Sequence, residues 1–195
     1  MGLDMYLERM PRYKNTTASQ IKGIELYFDW VREKESDSKY SNCTFEEWCN
    51  RSLDSLPDLK TIEYFRQFYR ATYSNWDTEK KYALYRVDEQ VGYWRKANHI
   101  HNWFVEHIQD GEDDCCYHRE VTKLDLEELL DLCHEVLCNP DLADDRLPTC
   151  AGFFFGGTEY DEYYMDSIKE TIDIITKVLE TTDFETQMIY YISSW

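Results

Sequence analysis

In residues 91–114, VGYWRKANHIHNWFVEHIQDGEDD, His101 and the acids Asp113 and Asp114 are the residue types that could move a proton. A histidine beside a carboxylate is a common acid–base pair. Asn98 lies three residues before His101, with Trp94 and Arg95 just upstream. Trp94, Arg95, Asn98 and His101 form a candidate pocket, and Tyr160 or Tyr163 could close it over a small molecule such as a nucleotide signal. The competing reading is structural, a core histidine satisfied by Asn98 or a backbone carbonyl. No nucleophile with a spaced base and orienter accompanies the pair, so no catalytic residue is assigned.

Other groups could hold ions. Asp110, Glu112, Asp113 and Asp114 resemble a calcium loop only loosely, because Gly111 comes too early for the EF-hand pattern. Cys115, Cys116 and His118, or His134 with Cys138, could bind zinc, but no C-x-x-C occurs and small buried residues are the simpler reading. GFFFGGTEYDEYY places glycines before a helix start, as an anion site would. It lacks a P-loop lysine, and Glu159, Asp161 and Glu162 would repel phosphate while complementing the helix dipole. No metal and no cofactor is expected.

The elements that must position these residues follow from periodicity. Val91, Trp94, Asn98, His101, Val105 and Ile108 share one stripe at helical spacing, widened by Ala97 and Phe104. This predicts a long central helix starting near Val87, with Trp103 exposed on its far face beside Lys96, His99 and His107. Residues 2–10 alternate as a half-buried strand stopped by Pro11. Thr17 to Gln20 is a capping box opening a helix with Ile21, Ile24, Phe28 and Val31 inward, ending in the charged loop REKESDSKYSN. Thr44 and Glu47 make a second capping box, before a short helix bearing Phe45 and Trp48. Pro57 and Asp58 start a third helix, running to about Tyr73, followed by a loop over Ser74 to Asp77. Trp76, Tyr82 and Tyr85 lead into the central helix. A short strand over Tyr117 to Val121 precedes a helix capped by Thr122 and Asp125, with Leu126, Leu129, Leu130, Cys133 and Leu137 on one face. CAGFFF, Cys150 to Phe155, reads as a strand. Thr158 with Asp161 caps a last helix, which buries Tyr164, Ile168, Ile172, Ile175 and Leu179. ETQMIYYISSW reads as a closing strand. The expected fold is α+β and helix-rich. Both termini and the CAGFFF strand form a small, mostly antiparallel sheet under five or six helices, with the first and last strands neighbours. Residues 1–195 make one domain, with 11–80 a helical insertion and 87–195 the core carrying the acidic face.

Composition narrows the function classes. A hydrophobic content of 43% and an aromatic content of 16% fit a packed globule. No apolar run reaches 18 residues, and MGLDMYLERM has no signal-peptide core. Seven cysteines without such a signal fit reduced thiols in a cytosol.

Net charge is −18 and unevenly placed. Residues 1–108 hold 17 acids and 16 bases, while residues 109–146 hold 13 acids and 3 bases and residues 159–186 hold 9 acids and 2 bases. Such a surface repels nucleic acid and attracts basic proteins. Asp125, Glu127, Glu128, Asp131 and Glu135 fall within about 15 Å of helix, close to the phosphate spacing of one DNA strand. These five carboxylates join Asp110, Glu112, Asp113, Asp114, Glu159, Asp161 and Glu162 as a candidate acidic partner-binding face. Tyr160, Tyr163 and Tyr164 are aromatic anchors beside it.

MGLDMYLERMPRYK, VGYWRKANHIHNWFVEHIQDGEDDC and GFFFGGTEYDEYY resemble a family of small acidic proteins from phages, prophages and mobile elements of gut Firmicutes. The resemblance implies no enzymatic chemistry and assigns no residue a role. It points toward counter-defence, of which anti-CRISPR inhibitors that keep Cas9 from its nucleic acid are the leading example. The leading expectation is therefore a non-enzymatic inhibitor of a basic host nucleic-acid-handling protein in the bacterial cytoplasm, with Cas9 first among the partners. The alternatives are a small-molecule or nucleotide-signal sponge using the Trp94, Asn98, His101 pocket, and a metal- or His-dependent enzyme.

Overall fold

A computed structural model of the protein describes residues 2–36, 42–45, 47, 58–73 and 83–195. Trp48, Pro57, Trp76, Tyr82, the loop Ser74 to Asp77 and residues 37–41 of the charged run lie outside the described residues. The chain divides into two units. One joins Met1–Met10 to Gln90–Trp195, and the other is Pro11–Glu89.

The first unit is built on a four-stranded antiparallel sheet. Its strands are β1 (Asp4–Pro11), β4 (Glu89–Arg95), β5 (Arg119–Val121) and β6 (Gln187–Ser194), in the order β4-β1-β6-β5. The first and last strands are neighbours, as expected. β5 pairs with β6 through Glu120 opposite Tyr190. Helices α3 (Asn98–Ile108), α4 (Lys123–Cys138), α5 (Ala143–Arg146) and α6 (Glu162–Thr181) complete the unit. Its core joins Leu3, Met5 and Leu7 of β1 to Trp94, Phe104, Leu126, Leu129, Cys133, Val136, Ile168, Ile175 and Tyr191. Each such fully buried large apolar side chain contributes on the order of 1.5–3 kcal/mol. α6 packs so closely on the sheet that a Cβ at Gly92 would come within 2.8 Å of Ile174 Cγ2.

The second unit holds α1 (Ala18–Ser36), α2 (Leu59–Arg66) and an antiparallel pair, β2 (Arg70–Tyr73) and β3 (Ala83–Arg86). Ile21, Ile24 and Phe28 of α1 are buried, as are Ile62 and Phe65 of α2. Asp58 caps α2 by accepting from Lys60 and Thr61 N–H. The boxes Thr17/Gln20 and Thr44/Glu47 form both reciprocal bonds. Glu25, buried at 7% exposure, accepts Val87 N–H at 2.5 Å and Asp88 N–H at 3.3 Å. Burial raises its carboxyl to about 7.

Six expectations are corrected. The central helix does not start near Val87. Residues 89–95 are strand β4, because burial alternates there, with Gly92 and Trp94 inward and Tyr93 and Arg95 outward. Lys96, at φ 59, turns the chain into α3. Arg70–Tyr73 is strand, so the third helix stops at Arg66, while Arg32–Ser36 of the expected loop extends α1. CAGFFF is a turn instead of a strand, held just before the inner strand β1 by Leu3 N–H donating to Phe154 C=O at 3.1 Å. Asp161 itself caps α6 by accepting from Tyr164 N–H. On α4 Val136 is inward at 0% exposure while Leu137 is 37% exposed, so the buried face turns toward Leu129 and Val136 and away from Leu130 and Leu137.

Candidate functional site

α3 presents two faces with different chemistry. Asn98, His101, Phe104 and Val105 look one way; His99, Asn102, Trp103 and Glu106 look the other. The expectation that Trp103 is exposed is corrected: it and His99 beside it are each 3% exposed. A helix covered on both sides has no solvent stripe through its middle, so the projection that exposes Trp103 fails.

On the first face every polar atom that the sequence singles out is taken up by the fold. Asn98 Nδ2 donates to the carbonyls of Phe155 at 3.2 Å and Gly157 at 2.7 Å. Its Oδ1 accepts Cys150 N–H at 3.3 Å. Asn98 thus pins both ends of the 150–157 turn to the start of α3. Within that turn Gly156 takes φ +97, a conformation that L side chains rarely adopt. His101, 1% exposed, lies between Tyr191 Oη at 2.7 Å and Asp113 Oδ2 at 3.1 Å. Burial pushes the Tyr191 hydroxyl far up and the imidazole down. Tyr191 therefore donates to Nδ1, and Nε2–H donates to Asp113. The expected pairing of His101 with Asp113 is present, and Tyr191 is the partner that sequence reasoning missed. No signal within the helix could point to a tyrosine on the last strand. Trp94 Nε1 donates to Thr171 Oγ1 at 2.9 Å, and Thr171 in turn donates to Ser167 C=O at 2.6 Å.

The Trp94, Arg95, Asn98, His101 constellation is a structural knot closed by its own side chains. Arg95 lies on the outer face of β4. Tyr160 donates to Asp144 at 2.7 Å, and Tyr163 is 86% exposed, so neither closes over His101.

The acidic residues are also redistributed. Asp114 accepts from Gln109 at 2.5 Å and pairs with Arg119. Asp125 closes the capping box with Thr122. Glu127 pairs with Lys123 at 3.3 Å and Glu135 with Arg146 at 3.1 Å. The even row of carboxylates expected along α4 is therefore broken, because local bases and the helix cap engage three of the five. Glu128 and Asp131 remain exposed, as do Asp110, Glu112, Glu159 and Glu162, with no ion pair among the described residues. α6 adds exposed Glu170, Asp173 and Glu180. Taken by unit, the first holds 25 acids and 8 bases, net −17, and the second 14 acids and 13 bases, net −1.

The second face of α3 opens onto a cavity of about 520 Å³. Trp103, His107 and Glu106 line it from α3, Glu128 and Leu132 from α4, and Asp145 and Arg146 from α5. Trp103 and His107 stack at 4.8 Å with 13° between their planes. Burial lowers His99, at the cavity's edge, to about 3, so its imidazole is neutral. Ser167 donates to Tyr164 C=O, which leaves its Oγ to accept from His99 Nε2 at 3.1 Å.

Among the described residues no three His, Cys, Asp or Glu side chains converge as a metal site requires, and no helix is long and apolar enough to cross a membrane. No protein family, curated protein or solved structure matches the chain.

Proposed function

We propose that this chain is a counter-defence protein, not an enzyme, whose acidic unit occupies the cationic nucleic-acid surface of a host effector, with Cas9 the leading candidate. The observation that carries this reading is the partition of charge. A unit of net −17 stands beside sequence of net −1, so the excess belongs to one folded body. A field of one sign over a compact surface speeds encounter with an opposite field and repels polyanions. The pairing along α4 moves the contact away from a single helix. The donors of charge become Glu128 and Asp131 of α4 with Glu170 and Asp173 of α6, all exposed. His101, closed between Tyr191 and Asp113 at 1% exposure, offers no proton to a substrate, which favours binding over catalysis.

The test is binding to Cas9, with and without guide RNA, across a salt series. Affinity should fall steeply between about 50 and 200 mM salt, and duplex DNA should compete. Changing Glu128, Asp131, Glu170 and Asp173 together to the amides should weaken binding by about tenfold or more. Salt-independent binding, or unchanged affinity in that variant, removes the electrostatic reading. Absence of binding to either form of Cas9 removes Cas9 as the partner.

A further inference from the structure

The turn between α3 and β5 carries a pair of thiols that neither the charge partition nor the His101 knot uses. Cys115 and Cys116 are its two central residues, closed by Tyr117 N–H donating to Asp114 C=O at 3.1 Å. Adjacent side chains in an extended chain point to opposite sides, so neighbouring cysteines do not of themselves bring their sulfurs together. Here the two Sγ atoms are 3.3 Å apart. Cys116 sits at φ +71, a left-handed value that glycine usually supplies at the third position of a turn. Its N–H donates to Ser193 C=O of β6 at 2.8 Å, which fixes the turn against the sheet. Both thiols are free, Cys115 partly exposed and Cys116 exposed.

Two converging thiols chelate a soft centre, and their separation selects which. With bonds to sulfur of about 2.3 Å, a separation of 3.3 Å subtends about 90° at the bound atom. Tetrahedral zinc opens that angle to about 109° and requires further ligands. His118, two residues on, is held by Glu8 at 2.8 Å, and among the described residues no third ligand joins the pair. Linear coordination needs sulfurs on opposite sides of the metal. A pyramidal trivalent arsenic centre takes an angle near the one found and asks two ligands of the protein, its third position keeping its own hydroxyl or carbon group. The surroundings favour the same class. Asp113 and Asp114 precede the pair. The hydrogen bond to Cys115, then burial, pushes the Cys116 thiol up, so the thiolate that disulfide exchange requires is disfavoured. A neutral trivalent hydroxide condenses with thiols directly. We propose that Cys115 and Cys116 form a chelating site for a trivalent arsenical. Two S–H and two As–OH bonds break, two As–S bonds form and two waters leave, with no change of oxidation state. The site stands independently of the partner reading, since it needs no Cas9.

Titration of the reduced full chain with phenylarsine oxide and with arsenous acid tests it, read by intact mass and by the number of reactive thiols. Phenylarsine should add once per chain with the loss of two thiols. The adduct should survive an excess of mercaptoethanol, a monothiol, and be released by dithiothreitol. Cys116→Gly, which suits the left-handed φ and so keeps the turn, should weaken binding by about a hundredfold or more, because the second thiol no longer acts at high effective concentration. Cys115→Ser should do the same. Cys138→Ser, which removes an exposed thiol elsewhere, should change nothing. Arsenous acid held as firmly as phenylarsine assigns the site to the inorganic oxyacid; phenylarsine held alone assigns it to organic arsenicals. An adduct stripped by the monothiol, or retained in Cys116→Gly, overturns the site. Zinc held by the pair more tightly than either arsenical overturns the choice of a pyramidal centre.

Discussion

The two faces of α3 solve the burial of polar side chains in opposite ways. Asn98 and His101 are surrounded by partners drawn from distant parts of the chain, the 150–157 turn, the loop at Asp113 and strand β6. Trp103, two residues beyond His101 and equally buried, keeps a donor with no acceptor among the described residues, beside an acidic cavity. A polar group that the fold satisfies is part of the scaffold. One that the fold leaves without a partner is a local cost that the scaffold carries.

The contrast should be largest in stability. Asn98→Ala removes three bonds, one buried and two part-buried, and leaves the Phe155 carbonyl in the core without its donor. It should cost about 3–5 kcal/mol in denaturant unfolding. Asn102→Ala, on the cavity face, loses a single long bond to Pro148 C=O at 3.5 Å and should cost under about 1 kcal/mol. Equal costs would erase the distinction between the faces. Tyr191→Phe keeps the ring stacked on Phe104 at 3.9 Å but leaves His101 Nδ1 unpaired in the core. A loss of about 1–3 kcal/mol is expected. A neutral result would mean that the hydroxyl does not hold the imidazole.

These differences explain what the sequence could and could not reveal. Two polar residues at helical spacing on an apolar stripe demanded partners, and Asp113, twelve residues from His101, was within reach of that reasoning. Tyr191 and the carbonyls of Phe155 and Gly157 were not, because only the sheet order and the turn bring them there. Capping boxes were legible because they are local: Thr122 and Asp125 are three residues apart and satisfy one another. Val91–Arg95 was misread for the opposite reason. Val91, Trp94 and Asn98 fit a 3.6-residue period, yet Gly92 and Trp94 equally fit alternation. Five residues do not separate the two, and pairing with β1 decided it. The cavity was invisible, since α3, α4 and α5 each supply a part of its wall.

Acidification probes the same helix more gently. Burial depresses both His99 and His101, so the folded state prefers them neutral. The unfolded chain binds their protons first, near the ordinary value of 6.5. Their contribution is therefore complete above about pH 6.5 and is lost as pH falls toward the folded value, about 3 for His99. Surface carboxylates of the −17 unit relax in the opposite sense as they protonate, so the comparison must be between variants. His99→Gln, which can still donate to Ser167, should flatten the fall between pH 6.5 and 5 by about 1–2 kcal/mol. An unaltered slope would mean that His99 is not held neutral by the core.

The smallest effect belongs to the cavity's rim. Arg146 and Glu135 meet at 3.1 Å, but their side chains are 50% and 47% exposed. Water screens such a pair, and a double-mutant cycle with alanine at both positions should give a coupling under about 0.5 kcal/mol that fades with salt. α5 is held instead by Ala143 and Leu147, at 3% and 0% exposure, and Tyr164 donates to Leu147 C=O at 3.0 Å. The cavity wall can thus lose its ion pair without collapsing, and the freed guanidinium and carboxylate would only retune its charge. A coupling above about 1.5 kcal/mol would place this rim in the same class as the Asn98 knot. The two faces of α3 would then differ only in degree.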